Sequence, residues 1–169
     1  IESVLKQEYD NVEIVIGDDL SQDSTRNILL EFEKKYPEKI KVILNKVNLG
    51  VTKNADVVLK ECIGKYLFLL AGDDLMLPGK IKKQVRFMEQ NSQCSLCYHS
   101  LDVFDSDTDK TLFYSYAKKA GTIKDVIKYG PFFGSCSVVL RTQDIPNQGY
   151  DTRVPIASDW LICIDTLAN

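Results

Sequence analysis

The order of apolar segments in this chain predicts an α/β fold, a single domain with a mostly parallel sheet flanked by helices. Strand-like runs alternate with helix-like stripes through the first hundred residues, the signature of β-α-β units with right-handed crossovers. One of these runs, Tyr66–Leu70, is almost continuously apolar, as a strand covered on both faces is. A third observation points to the working end. Val12–Ile16 leads into Gly17-Asp18-Asp19, and Tyr66–Leu70 into Ala71-Gly72-Asp73-Asp74. Ligands of open α/β sheets sit outside the carboxyl ends of the strands. Carboxylates crowded there disfavour one another's ionised form, a cost that a divalent metal or hydrogen-bond donors on a ligand would relieve.

Each element has a local reason. Glu2–Gln7 reads as the end of a helix and Val12–Ile16 as a strand. Ser21-Gln22-Asp23-Ser24 is rich in N-cap residues, and a helix follows with Ile28, Leu29, Phe32 and Tyr36 on one face until Pro37 stops it. Ile40–Leu44 is the next strand and Asn45–Gly50 a turn-rich loop. A helix from about Thr52 to Cys62 ends at Gly64, the residue type favoured just past a C-terminus. After the strand Tyr66–Leu70, Pro78 opens a helix to about Gln90 with Ile81, Val85 and Met88 on its apolar stripe. Leu96–Phe104 reads as a strand and Ser106–Lys110 as a polar loop. The pattern then loosens: a short helix over Ile123–Tyr129, a short strand over Ser137–Arg141 and a last helix over Ser158–Leu167.

The chain has 169 residues, 44% hydrophobic and 27% charged, enough for one domain with a real core and unlike disordered or fibrous chains. A net charge of −3 gives no bulk attraction to nucleic acid. Lys80-Ile81-Lys82-Lys83 interleaves charge with apolar positions and reads as the solvated face of a helix. No apolar stretch approaches the roughly 20 residues that span a bilayer. The five cysteines are odd in number and scattered through apolar runs, which reads as core packing in a reducing compartment. Cys94 and Cys97, three apart in a strand, would point to opposite faces. His99 is the sole histidine, a poor basis for a metal site.

Several segments together resemble the family 2 glycosyltransferases, inverting enzymes of the GT-A fold that use nucleoside-diphosphate sugars. The first is Asp18-Asp19-Leu20-Ser21-Gln22-Asp23-Ser24-Thr25, which is similar to that family's nucleotide-binding turn. Asn48-Leu49-Gly50-Val51-Thr52-Lys53-Asn54, Gly64-Lys65-Tyr66 and Gly72-Asp73-Asp74-Leu75-Met76-Leu77-Pro78 continue the match, the last resembling the metal-binding Asp-x-Asp segment. Ser158-Asp159-Trp160 stands where the family carries its acidic, base-supplying motif. Acidic pairs are common, and the specificity lies in these segments standing together in the right order and spacing.

The resemblance implies a GT-A-like, Rossmann-related fold. Residues from about 1 to 104 would form the nucleotide-sugar-binding half and those from about 105 to 169 the acceptor-side half. Asp19 would accept a hydrogen bond from the nucleotide base, with Asp18 beside it shaping the turn and Lys53 near the nucleotide. Asp73 would face the ribose or the water shell of a manganese or magnesium ion, and Asp74 would ligate that ion. Asp159 would be the general base, and Gly134-Ser135-Cys136-Ser137 would lie on the acceptor side, with Ser135 open to a sugar. The implied reaction transfers a sugar with inversion, most often from a UDP-sugar, to a carbohydrate or lipid-linked acceptor in surface polysaccharide or glycolipid synthesis. The expected setting is the cytoplasm or the cytoplasmic face of a membrane, with no nucleic-acid partner.

The residues also admit plainer readings. Asp18 or Asp19 could cap the following turn, Asp159 sits in a first helical turn where the dipole favours any carboxylate, and Gly134–Ser137 could be a simple turn into a strand. Ala71 stands where the family often has an acid, which leaves a metal more dependent on diphosphate and water, and Ser158 stands where a second acid often precedes the base. A catalytically silent sugar-nucleotide-binding domain and a receiver-type signalling module are the alternative functions. A receiver module would be shorter and leaves Asp159 unexplained. The pattern begins partway through the family's, without its opening strand, and stops soon after Asp159. A fragment of a longer protein is therefore expected, one poorly stable in isolation.

Overall fold

The computed structural model describes residues 1–117, 120–129 and 134–169. A short helix, α1 (Glu2–Leu5), precedes β1 (Ile14–Asp18), α2 (Thr25–Lys35), β2 (Ile40–Leu44) and α3 (Val51–Lys60). Then come β3 (Tyr66–Phe68), α4 (Lys80–Gln90), β4 (Leu96–Cys97), β5 (Leu101–Asp105) and β6 (Lys110–Ser115). The chain closes with α5 (Ile123–Tyr129), a 3-10 turn over Ser135–Ser137, β7 (Val139–Arg141) and α6 (Ser158–Ala168).

Strands β1 and β2 pair in parallel, from Ile14 opposite Ile40 to Asp18 opposite Leu44. The pairing sets Asp18 and Asn45 side by side, with the Asn45 N–H donating to the Asp18 carbonyl at 3.0 Å. Helix α3 lies close over β1 because Gly17 has no side chain. A Cβ there would sit 2.5 Å from both Asn54 Oδ1 and Val58 Cγ2.

The other strands among the described residues pair antiparallel, in sheets separate from β1 and β2. Strand β7 runs antiparallel between β3 and β4, all three of its residues buried. Val138, Leu140, Ile145, Tyr150, Ile162 and Cys163 form the core around it, with Ala55 and Leu59 of α3 packed against them. Among the described residues only the β1–β2 pair is parallel.

The segment read as one strand over Leu96–Phe104 is broken. Its first part pairs with β7, and its second folds into a hairpin with β6, absent from the sequence reading. Asp105 closes the hairpin turn by accepting the Asp107 and Thr108 N–H groups at 3.0 and 2.9 Å. Strand β3 is shorter than the apolar run implied and only half-buried, for its single strand partner among the described residues is β7. Pro37 and Pro78 do mark helix limits, α2 ending at Lys35 and α4 starting at Lys80. The α2 stripe is shallower than expected, since Leu29 is buried but Ile28 is exposed.

Candidate functional site

The first acidic pair is embedded in a hydrogen-bond network. Asp18, the last residue of β1, is 3% exposed. Its Oδ2 accepts from Arg26 Nε of α2 at 2.6 Å and from the Ser21 N–H at 3.3 Å, while Oδ1 is buried without a partner. Arg26 also donates through Nη2 to the Asn45 carbonyl at 2.5 Å. Burial alone would raise the pKa of Asp18, but the hydrogen bonds from Ser21 and Arg26 outweigh it and hold the carboxyl below its ordinary value.

Asp19 faces the loop after β2. Its Oδ1 accepts the Leu49 N–H at 2.7 Å and Asn45 Nδ2 at 3.0 Å, and its Oδ2 accepts the Gly50 N–H at 2.8 Å. Burial opposes ionisation, yet the donors from Leu49, Asn45 and Gly50 keep this carboxyl low as well. Asn45 passes the network to Asn54, which donates to the Gly17 carbonyl at 3.2 Å. Asp19 is thus the buckle of the 45–50 loop, and it shapes the turn at least as much as Asp18 does. Lys53 is exposed on the first turn of α3, just beyond that loop.

The second acidic pair lies on a turn before α4. Asp73 is exposed and Asp74 half-buried, the Asp74 N–H donating to the Ala71 carbonyl at 3.2 Å. Burial first and the nearby Asp74 carboxylate second push the pKa of the Cys136 thiol up. Lys80, 7% exposed, donates from Nζ to the Cys136 carbonyl at 2.8 Å and lies 5.3 Å from the centre of the Phe68 ring. Burial lowers its pKa to about 8, with Cys136 and Asp74 countering. Gln84, one turn further along α4, donates to the Ser137 carbonyl at 2.8 Å. Helix α4 therefore fastens the turn that carries Ser135 beside Asp74, joining the two segments expected to serve donor and acceptor.

Asp73 and Asp74 offer hard oxygen donors of the kind that magnesium and manganese take, one or two carboxylates with phosphate and water completing the shell. Among the described residues no group of three or more His, Cys, Asp or Glu could enclose an ion. A cation here would draw most of its shell from a ligand and water.

Asp159 lies exposed in the first turn of α6, its Oδ1 accepting the Trp160 N–H at 2.9 Å. The N-cap is Ala157 in left-handed geometry at φ 58°. Among the described residues no hydrogen bond or ion pair joins Asp159 to either acidic pair.

The glycosyl transferase family 2 model matches residues 1–145. This chain belongs to glycosyl transferase family 2. It is 29% identical over 164 residues to the putative teichuronic acid biosynthesis glycosyltransferase TuaG of Bacillus subtilis, covering 95% of this chain and 64% of that protein. An uncharacterized Mycobacterium tuberculosis protein is 34% identical over 141 residues, 80% of this chain and 41% of its own length. The chain thus spans about two fifths of the mycobacterial relatives it matches. Its fold is similar to that of S. aureus TarS residues 1–349 in complex with UDP, at a TM-score of 0.71 and 20% identity, covering 98% of this chain and 49% of that one. The α/β, GT-A-like class expected from the family resemblance is therefore the fold observed.

Sequence reasoning set Lys80 on a solvated helix face, where the structure buries it, and did not find Arg26, Asn45 or Gln84. Lys80 and Gln84 meet their partners more than fifty residues away, and local patterning carries no signal for that. Arg26 offered the nearest hint, a cation two residues past the capping cluster.

Proposed function

We propose that the chain is the nucleotide-sugar-binding and base-carrying part of an inverting glycosyltransferase that moves a sugar from a nucleoside-diphosphate donor, a UDP-sugar, to an acceptor hydroxyl. Family membership supports glycosyl transfer. The observation that carries the site reading is the two acidic pairs, one at the end of β1 belted to the 45–50 loop and the other, after β3, lying beside the 135–137 turn that Lys80 and Gln84 hold.

In this reading the Asp19 belt keeps the loop over residues 48–50 shaped for the nucleotide. Asp18, buried and held ionised by Ser21 and Arg26, shapes the turn beneath it, and the half-buried Asp19 is the acceptor-only group offered to an N–H of the base. Lys53 adds positive charge near the phosphates. Asp73 and Asp74 would hold magnesium or manganese, which when bound neutralises charge on the departing diphosphate. Asp159 takes the proton from the attacking acceptor hydroxyl, and Ser135 borders the acceptor. General-base help of this kind contributes roughly 10²–10⁴-fold. Similarity to TuaG, a putative teichuronic acid biosynthesis glycosyltransferase, supports a role for this chain in surface polysaccharide synthesis, with a carbohydrate or lipid-linked acceptor.

No helix among the described residues is long and apolar enough to cross a membrane. An assignment to the cytoplasm or its membrane face therefore rests on where nucleotide sugars are found.

The deciding experiment incubates the parent polypeptide with a panel of nucleotide sugars and acceptor extracts, with manganese or with chelator. Product anomers are read by NMR. An inverted product formed only with a nucleotide sugar supports the proposal. Tight nucleotide-sugar binding with no transfer to any acceptor would identify a silent binding domain instead.

A further inference from the structure

We infer that Asp56 and Thr52 are positioning residues for Asp159: they pin the segment that launches α6 to the helix that rises from the nucleotide loop. This rests on the glycosyltransferase reading given above. Both residues lie on one face of α3, four apart, where side chains stack along a helix. Thr52 is 3% exposed, and its Oγ1 donates to the Val154 carbonyl at 2.9 Å. Asp56 is buried too; its Oδ1 accepts the Tyr150 N–H at 3.0 Å and its Oδ2 pairs with Lys60 Nζ at 2.6 Å.

The receiving segment is built for this contact. Gly149 adopts φ 72°, and a Cβ there would fall 2.3 Å from Asp56 Oδ1. Tyr150 anchors in the main core. The chain then turns, with the Val154 N–H donating to the Asp151 carbonyl at 3.0 Å, and enters α6 through left-handed Ala157.

At its other end α3 begins at the loop belted by Asp19, through the Leu49 and Gly50 N–H groups. One rigid helix therefore connects the donor-side loop to the acceptor-side base. A buried carboxylate is a costly way to close a turn unless its place matters. Among the described residues nothing else holds the Tyr150 N–H or the Val154 carbonyl by a hydrogen bond. Misplacing a catalytic group by about 1 Å can cost about a hundredfold in rate.

The test compares the parent polypeptide with its Asp56→Ala, Asp56→Asn and Thr52→Val variants. Three readouts are taken: hydrogen–deuterium exchange over residues 149–160, UDP affinity by calorimetry with manganese, and steady-state UDP release from UDP-glucose, UDP-galactose or UDP-N-acetylglucosamine. Asp56→Ala should speed exchange across 149–160 and lower kcat by roughly tenfold or more, with UDP affinity within about twofold. Asp56→Asn keeps an oxygen for the Tyr150 N–H and should restore most of the rate. Thr52→Val, close in shape, should lie between.

Unchanged kcat in Asp56→Ala overturns the inference, as does Asn failing to rescue, or UDP affinity falling in step with rate. A parent polypeptide that neither binds nor releases UDP overturns the enzymatic role along with the glycosyltransferase reading. The exchange data then still report whether the brace exists.

Discussion

Replacing Arg26 with methionine isolates one buried charge. In the native fold Arg26 Nε reaches Asp18 Oδ2 at 2.6 Å and Nη2 reaches the Asn45 carbonyl at 2.5 Å, while the Asp18 side chain is 1% exposed and that of Arg26 29%. Breaking a buried pair by removing one partner costs about 3–5 kcal/mol, because the remaining charge keeps its desolvation penalty. Arg26 is partly wet, so water can return to its place, and the lower end, about 3 kcal/mol, is expected. For a domain of this size that lowers Tm by about 6–12 °C.

The pH dependence gives a sharper signature. Asp18 is depressed below the ordinary aspartate value in the wild type, so its contribution is present above that value and lost as pH falls through the folded pKa. In Arg26→Met burial dominates and raises the same carboxyl. Protonation on lowering the pH from 7 towards 4 then relieves the strain, and the stability gap to wild type should narrow. Urea unfolding of both proteins at pH 7, 5.5 and 4.5 measures that gap. The double variant Asp18→Asn, Arg26→Met should recover part of the loss at pH 7. A gap constant across the three pH values, or one below about 0.5 kcal/mol at pH 7, would falsify the assignment of Arg26 as the partner that keeps Asp18 ionised.

Three further outcomes are expected. Asp74→Asn should remove most of the tightening that manganese or magnesium gives to nucleoside-diphosphate binding; equal calorimetric affinity with metal and with chelator in the wild type would sink the metal assignment while leaving the fold untouched. Asp159→Asn should lower transfer by roughly 10²–10⁴-fold with donor affinity preserved, and near-normal turnover would remove Asp159 from the mechanism. Lys80 carries a pKa lowered to about 8 from 10.5, so the unfolded chain binds more protons between those values. Stability should therefore rise with pH across about 8 to 10.5 relative to Lys80→Met, and parallel pH profiles for the two proteins would contradict the burial of its charge.

Segments with a strong local signal were legible in the sequence. The β2 strand and α5 fall where Ile40–Leu44 and Ile123–Tyr129 were read, and the limits set by Pro37 and Pro78 hold within two residues. The β5–β6 hairpin was missed because β6 mixes exposed Leu112, Phe113 and Tyr114 with polar neighbours, so no alternation marks a buried face. The antiparallel pairing of β3, β7 and β4 was missed for a related reason. A buried strand reads as apolar whichever way its neighbours run, and Tyr66–Leu70 carried no trace of β7. At the site, residue identity located the acidic pairs. Their division of labour depended on donors from Arg26, Leu49 and Gly50, which only the folded chain brings near.

The close seat of α3 on β1 makes the chain's tolerance to substitution uneven in a way that composition conceals. At position 17 even a methyl group meets Asn54 and Val58, and relief would lift α3 from the strand end bearing Asp18. At Gly72, beside the other acidic pair, an added Cβ meets nothing within 4 Å. A saturation library should therefore be nearly empty at position 17 and well populated at 72, although both glycines stand directly before an acidic pair. Substitution has room around the second pair and almost none behind the first.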